Sequence, residues 1–177
     1  KINDEISIGK AKLGMGQIDD ALAHFEKASS MLPSEEKKLS ADKLSEVASA
    51  LYDASVNQTS PDVKKDLRTQ AISYADRAIS RDSEQAPSHY ILGKTFSEDR
   101  NYEKAINELT KAAQIDGLNY LYFYELGKVQ YSLKKFSEAR SSFETACKLN
   151  PQFSQGFFNL GLTLKTLGRQ DEALNAF

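Results

Sequence analysis

Small and large apolar residues recur along this chain with a period of 34 positions. A Gly follows a large apolar residue, an Ala comes twelve residues later, and a bulky apolar residue follows that Ala after four more. The glycines are Gly9, Gly93, Gly127 and Gly161, and the alanines are Ala21, Ala105, Ala139 and Ala173. The last three glycines are 34 residues apart, and Gly9 precedes Gly93 by 84 residues, which is two periods plus sixteen. A repeat of this length, with apolar positions three or four residues apart, predicts stacked pairs of helices in a solenoid.

Each unit is predicted to hold two antiparallel helices packed closely together. The Gly lies on the inner face of the first helix and the Ala on that of the second, and small residues there let the helices approach. Gly16 and Gly168 mark turns between the two helices of a unit. Pro33 and Pro151 mark turns after the second helix, because proline cannot continue a helix.

With the Gly numbered as position 8, the pattern resembles the tetratricopeptide repeat (TPR) family. That family expects Leu at position 7, Ala at 20, an aromatic residue at 24, Ala at 27 and Pro at 32, and this set recurs in register. The resemblance implies an all-α fold, a right-handed α-solenoid of antiparallel helix pairs, in a single array over residues 1–177. The units are repeat 2–35, an enlarged atypical repeat 36–85, repeats 86–119 and 120–153, and a truncated repeat 154–177.

One position departs from the family pattern. Lys12 and Gln130 stand at position 11, where Tyr or a similar residue is expected, and Leu13 and Tyr131 follow one place later. Either the first helix is slightly rotated in these units, or Tyr131 faces another surface.

The enlarged repeat predicts two long helices, over about 35–56 and 61–82. Ser60 is a good N-cap and Pro61 a good first helical residue, so they mark the start of the second helix. The extra length either only extends the edge of the solenoid or projects to contact a partner or a second subunit.

Composition and charge narrow the choice of partners. The 23 basic and 25 acidic residues give a net charge of −2, without a block of like charge that would favour nucleic acid or an anionic membrane. No apolar run approaches ~18 residues, so membrane insertion is not expected. The single Cys147 excludes an internal disulfide and is interpreted as a small packing residue. The compartment stays unknown, with a slight preference for the cytoplasm.

The sequence contains no arrangement that indicates catalysis. His24 and His89 fall in different units, and neither stands in a metal-ligand motif. His89 occupies the packing position 4, which favours a core or interface role. We therefore expect no enzyme activity, no metal and no cofactor.

The resemblance implies a binding surface, because in this family the first helices line a concave groove in which extended peptides often bind. The expected groove residues are Tyr90, Lys94, Tyr124, Glu125, Lys128, Tyr131, Phe158, Asn159 and Leu162. Tyr90, Tyr124 and Phe158 share one repeat position and would form an aromatic strip, with Lys94 and Lys128 one turn further on. Such a strip suits a peptide with apolar side chains and a carboxylate. Alternatively, the rings pack against the neighbouring unit and the lysines only solubilise the surface.

The expected function is that of a protein-interaction scaffold holding a peptide or helix of a partner protein, with Asn159 and Glu125 supplying polar contacts. A two-carboxylate clamp for chaperone C-termini is not expected, because Tyr90 stands where a Lys is needed and Glu125 would repel a carboxylate. The alternative is a homodimer formed through residues 36–85 or the open end at Phe177, where no polar capping helix follows. A regulatory domain of a longer enzyme, or a fragment of a longer array, also fits the sequence.

Overall fold

The computed structural model describes residues 1–176, which fold into α-helices with no strand among them. The helices of this part of the chain are α1 Ile2–Gly14, α2 Ile18–Ser30, α3 Lys37–Val56, α4 Pro61–Arg81, α5 Ala86–Glu98, α6 Tyr102–Ile115, α7 Tyr120–Ser132, α8 Phe136–Leu149, α9 Ser154–Thr166 and α10 Gln170–Ala176. The predicted all-α fold of helix pairs is confirmed. The bulky residue expected at position 24 of the last repeat, Phe177, lies outside the described residues.

The helices cluster into two compact units, Lys1–Ile91 and Leu92–Phe177, and the boundary falls inside α5. In the first unit α1 packs on α2 and α3 packs on α4. In the second unit α7 packs on α6 and α8, and α9 packs on α8 and α10. The repeat boundaries of the predicted single array stay a prediction.

Glycine and alanine bring the paired helices together, as the sequence predicted. A Cβ added at Gly127 would lie 2.8 Å from the ring of Phe143 on the facing helix, and one added at Gly93 would lie 2.6 Å from the Leu109 side chain. Ala105 and Ala139 on the second helices are 0% exposed. A larger side chain at any of these positions would therefore push the two helices apart.

The turn inside each ordinary helix pair has one conformation. Position 15 is left-handed in four units, with φ of 75° at Gly16, 58° at Arg100, 60° at Lys134 and 77° at Gly168. The residue after it donates its N–H back to a carbonyl five residues earlier, as when Lys135 N donates to Gln130 O at 2.9 Å. This Schellman-type closure ends the first helix and starts the second. The two non-glycine residues carry the steric cost of a left-handed backbone.

The enlarged repeat contains the two long helices that were predicted. They are α3 and α4, within two residues of the expected ends. Ser60 is the N-cap of α4 and Pro61 its first helical residue, although the Ser60 side chain makes no capping hydrogen bond. Leu51 and Leu67 are almost fully buried in this hairpin, and the Ser88 hydroxyl donates to the Ser45 hydroxyl at 2.9 Å.

The core of the second unit packs aromatic rings against small residues. Phe143 is 1% exposed and lies among Ala139, Ala146 and Cys147. The packing role predicted for Cys147 is confirmed, and burial, followed by the nearby Glu144 charge, raises the pKa of its thiol. Within the part of the chain described, no helix combines the length and the apolar character needed to cross a bilayer.

Candidate protein-interaction site

The predicted groove residues lie on three first helices of the repeats. Tyr90 and Lys94 are on α5, and the others are on α7 and α9, which contact each other side by side. Tyr90 belongs to the first compact unit and is half-buried. We define the α7–α9 face by the remaining residues of these two helices: Tyr124, Glu125, Lys128 and Tyr131 on α7, and Phe158, Asn159 and Leu162 on α9.

Tyr124 is buried within this face, with 9% of its surface exposed. Its ring meets Phe153 edge-on, with centroids 4.7 Å apart, and lies 5.9 Å from the ring of Phe143. Its hydroxyl accepts a hydrogen bond of 3.0 Å from Nδ2 of Asn159. Tyr124 therefore belongs to the buried layer under this face, and its hydroxyl orients the Asn159 amide.

Asn159 is held between the two helices. Its Nδ2 donates to the Tyr124 hydroxyl and, at 3.1 Å, to the carbonyl oxygen of Gln155 one turn earlier. Both amide hydrogens are thereby used, so the polar atom left to meet a ligand is Oδ1, an acceptor. An amide oxygen in a fixed direction suits the backbone N–H of a bound peptide.

Glu125 lies beneath two lysines. It is 7% exposed, and its carboxylate oxygens each accept a hydrogen bond of 2.9 Å, one from Lys94 Nζ and one from Lys128 Nζ. Lys128 Nζ also lies 5.2 Å from the centre of the Tyr124 ring. The cluster carries one net positive charge, and the buried carboxylate fixes where the two ammonium groups stand.

Tyr131, whose repeat position is shifted by one place from the family pattern, turns towards α9. Its hydroxyl is 3.2 Å from Oγ1 of Thr166, and its ring meets Phe136 edge-on at 5.1 Å. The side chain is half-buried. It therefore borders the α7–α9 face at the end opposite Tyr124.

Phe158 and Leu162 are the exposed apolar residues of this face. Phe158 is 59% exposed and Leu162 is 38% exposed. They are one helical turn apart on α9, so their side chains project from the same side of the helix. Of the three aromatic residues predicted to form a strip, Phe158 is thus the one whose ring is mostly in solvent.

The histidines have separate structural roles. His24 Nδ1 is 2.6 Å from Glu5 Oε2, and His89 Nε2 is 3.0 Å from the carbonyl oxygen of Ser83. Hydrogen bonds from Lys27 and then His24 lower the pKa of Glu5 below its ordinary value, against the opposing effect of burial. Over residues 1–176, no group of three acidic, His or Cys side chains stands close enough to hold a metal ion.

Two protein families match the chain. The family described as anaphase-promoting complex, cyclosome, subunit 3 matches residues 64–146, and a tetratricopeptide repeat family matches residues 142–175. Both are of the tetratricopeptide repeat type, and together they cover residues 64–175. The chain belongs to the tetratricopeptide repeat family.

Three known proteins resemble this chain, two of them over less than half of its length and one over almost all of it. The small glutamine-rich tetratricopeptide repeat-containing protein 2 of Saccharomyces cerevisiae is 29% identical over 87 residues, which are 49% of this chain and 25% of that protein. The heat shock protein STI1 of the same yeast is 36% identical over 75 residues, 42% of this chain and 13% of that protein. A TPR repeat-containing protein of Methanocaldococcus jannaschii is 24% identical over 180 residues, 99% of this chain and 31% of that protein. The chain spans at most about a third of each relative.

Solved structures share the fold over almost the whole chain. A crystal structure of MamA has a TM-score of 0.75 at 23% identity and covers 96% of this chain and 90% of its own. MamA from Desulfovibrio magneticus RS-1 has a TM-score of 0.73 at 15% identity, covering 99% and 90%. At such identities the likeness concerns the fold alone. Repeat proteins of this family are in general protein-interaction scaffolds and typically not enzymes.

Proposed function

We propose that this chain binds an extended or helical segment of a partner protein on the α7–α9 face. The observation that carries the proposal is the pair of exposed apolar side chains, Phe158 and Leu162, beside polar groups that the chain already holds in place. Protein interfaces combine an apolar centre with polar groups around it, and this face offers both.

The apolar pair supplies the driving force. Fully burying a Phe or Leu side chain stabilises a complex by about 1.5–3 kcal/mol. Because Phe158 is 59% exposed and Leu162 38% exposed, a ligand can still remove a large part of that surface from water. A partner segment should therefore place one or two apolar side chains over α9.

The polar groups supply orientation and selectivity. Lys128 has 45% of its side chain exposed. Its positive charge is not fully neutralised, because the single carboxylate of Glu125 is paired with both Lys128 and Lys94. This favours an acidic residue in the ligand on the α7 side. Oδ1 of Asn159 is oriented to accept a backbone N–H between the charged and apolar parts of the face. The preferred ligand is thus apolar at one end and acidic at the other.

The test is a selection of peptides from a random library against the purified chain, followed by fluorescence anisotropy with the best peptide. We expect the Phe158→Ala, Leu162→Ala double variant to bind at least about tenfold more weakly, since losing ~1.4 kcal/mol changes an affinity tenfold. Lys128→Ala should weaken binding less and reduce its dependence on salt.

Leu118→Ala is the matched control, because Leu118 is 82% exposed and is not part of the α7–α9 face. It should leave the affinity unchanged. The proposal is wrong if the selected peptides bind the double variant as tightly as the parent chain while circular dichroism shows both folded.

Self-association is the second candidate function. The observation in its favour is Leu174 on α10, which is 73% exposed and offers apolar surface outside the α7–α9 face. Light scattering over a hundredfold range of concentration tests it. A dimer that Leu174→Asp dissociates would support self-association, and a constant monomer mass would exclude it.

A further inference from the structure

The second helices of the first two repeats, α2 and α4, face each other in a regular register within the first compact unit. Residues 48 positions apart are opposite each other, because Tyr74 contacts Glu26 and Arg77 contacts Ser29. Towards the helix N-termini, Ile18 and Leu22 of α2 line one cleft together with Asp66 and Gln70 of α4, as the same offset predicts. The two helices therefore run side by side with the same polarity.

Large side chains of this chain bridge the gap at one end. The Tyr74 hydroxyl donates to Glu26 Oε2 at 3.0 Å, and Arg77 Nη1 donates to the same oxygen at 3.3 Å. The Arg77 guanidinium carbon lies 4.7 Å from the centre of the Tyr74 ring, and Nη2 donates to the Ser29 hydroxyl. Burial and then the Glu26 contact raise the pKa of Tyr74 to about 12. A guanidinium on a carboxylate thus fills this end of the gap.

The other end of the same gap is open. A cleft of about 230 Å³ lies there, with Ile18, Leu22 and Leu67 as its apolar lining and Asp19, Asp66 and Gln70 among its polar residues. Leu67 is 1% exposed and forms the floor, whereas the two aspartates are exposed. Gln70 stands one helical turn before Tyr74, and its side chain, which is shorter than that of Tyr74, leaves this end of the gap unfilled.

The two aspartates are not engaged by this chain's own cations. Their neighbour Asp20 pairs with Lys12 at 3.3 Å. In residues 1–176, by contrast, neither Asp19 nor Asp66 takes part in an ion pair. The cleft therefore presents two negative charges above an apolar floor.

We propose that this cleft binds an arginine side chain of a partner protein. The aliphatic stem of arginine can pack on Leu22 and Leu67 while its planar, permanently charged head meets Asp19 and Asp66. Arg77 makes the same kind of contact further along the same gap, with its guanidinium over the Tyr74 ring and on the Glu26 carboxylate. The proposal goes beyond the peptide site proposed above, and it uses no residue of the α7–α9 face.

The test is a nuclear magnetic resonance titration of the whole chain with the blocked pentapeptide Ala-Ala-Arg-Ala-Ala. Its citrulline analogue, which has nearly the same shape and no charge, is the control ligand. We expect saturable shifts of the backbone amides of residues 18–22 and 66–70 with the arginine peptide and none with the citrulline peptide. Equal shifts with both peptides, or shifts spread over other acidic helices, would overturn the proposal.

Variants locate the site independently. Asp19→Asn with Asp66→Asn should weaken binding about fivefold, as expected for two partly exposed ion pairs. Asp99→Asn with Asp171→Asn is the matched control, because it changes the net charge equally and Asp171 holds the same repeat position as Asp19. Gln70→Arg should also abolish binding, since it places the chain's own guanidinium in the cleft. If the Asp19→Asn, Asp66→Asn variant binds the arginine peptide as tightly as the parent chain, the assignment of the site to this cleft is refuted, whatever the control variant does.

Discussion

Gly127 offers a sharp test of how the helix pairs are packed. Its Cα faces the ring of Phe143, and a Cβ added there would lie 2.8 Å from two ring carbons and 3.1 Å from a third. Phe143 is 1% exposed and packs within the core of the second unit, so a shift of its ring disturbs the neighbouring core residues. Gly127→Ala must therefore separate α7 from α8 or distort the Phe143 side chain.

Two effects of opposite sign set the size of the change. Overpacking a well-filled core costs about 1–3 kcal/mol. Replacing Gly by Ala within a helix stabilises the folded state by roughly 0.5–1 kcal/mol, because Ala loses less backbone freedom on folding. The steric effect is larger, and we expect a net loss of about 0.5–2 kcal/mol in the free energy of unfolding.

Urea denaturation followed by circular dichroism measures this difference. Gly14→Ala is the matched control, because Gly14 also lies in a helix but has nothing within 4 Å of its added Cβ. It should be neutral or stabilise the protein by up to about 1 kcal/mol. Gly117→Ala, in the same compact unit as Gly127, should also be tolerated, since its added Cβ would be 3.7 Å from its nearest neighbour.

The reasoning is refuted if Gly127→Ala is as stable as the parent chain, or if it gains as much stability as Gly14→Ala. Either result would mean that the facing helices are not in the close contact that the glycine and alanine pattern requires.

Two further predictions concern single hydrogen-bonded groups. Tyr124→Phe keeps the ring packing but removes the acceptor of the Asn159 hydrogen bond, so the free energy of unfolding should fall by about 0.5–1.5 kcal/mol in urea denaturation; no loss would show that this bond is not formed in solution. Lys27 and His24 lower the pKa of Glu5 below 4.5 in the folded chain, so the ionised Glu5 stabilises the fold. This stabilisation is present above pH 4.5 and is lost as the pH falls through the lowered pKa. Glu5→Gln should therefore be less stable than the parent at neutral pH and match it in strong acid, and a difference that persists in acid would contradict this.

Much of the fold could be predicted because it depends on contacts close in sequence. The bounds of α3 and α4 follow from apolar periodicity and from Ser60 and Pro61, which signal a helix start by themselves. The approach of α7 and α8 follows from small residues at Gly127 and Ala139, since the two helices are joined by a short turn.

The candidate site was less predictable, because its details depend on residues from different repeats. Tyr124 is buried by Phe153, which lies at the end of its own repeat and folds back against α7. The pairing of Glu125 with Lys128, three residues apart on one helix, could have been inferred from sequence. The second pairing, with Lys94, requires the helices to be positioned in space.

Position 4 of the first repeat illustrates the same limit. The family pattern expects a large residue there, which is Phe123 and Phe157 in two later repeats, and Glu5 in the first. The structure shows that Glu5 reaches His24 and Lys27 on α2, so an ion-pair cluster replaces apolar packing. Repeat spacing indicates that the position faces α2, but the kind of contact is set by the partners found there.

The most direct test of the central claim is to map where a selected peptide binds, by its effect on the backbone amide resonances of the chain. If the chain is a scaffold that uses the α7–α9 face, the largest shifts will fall within residues 121–131 and 155–166, with little change in α8 and α10. Shifts confined to α8, α10 or residues 1–85 would contradict the account and place the interaction elsewhere on the repeats.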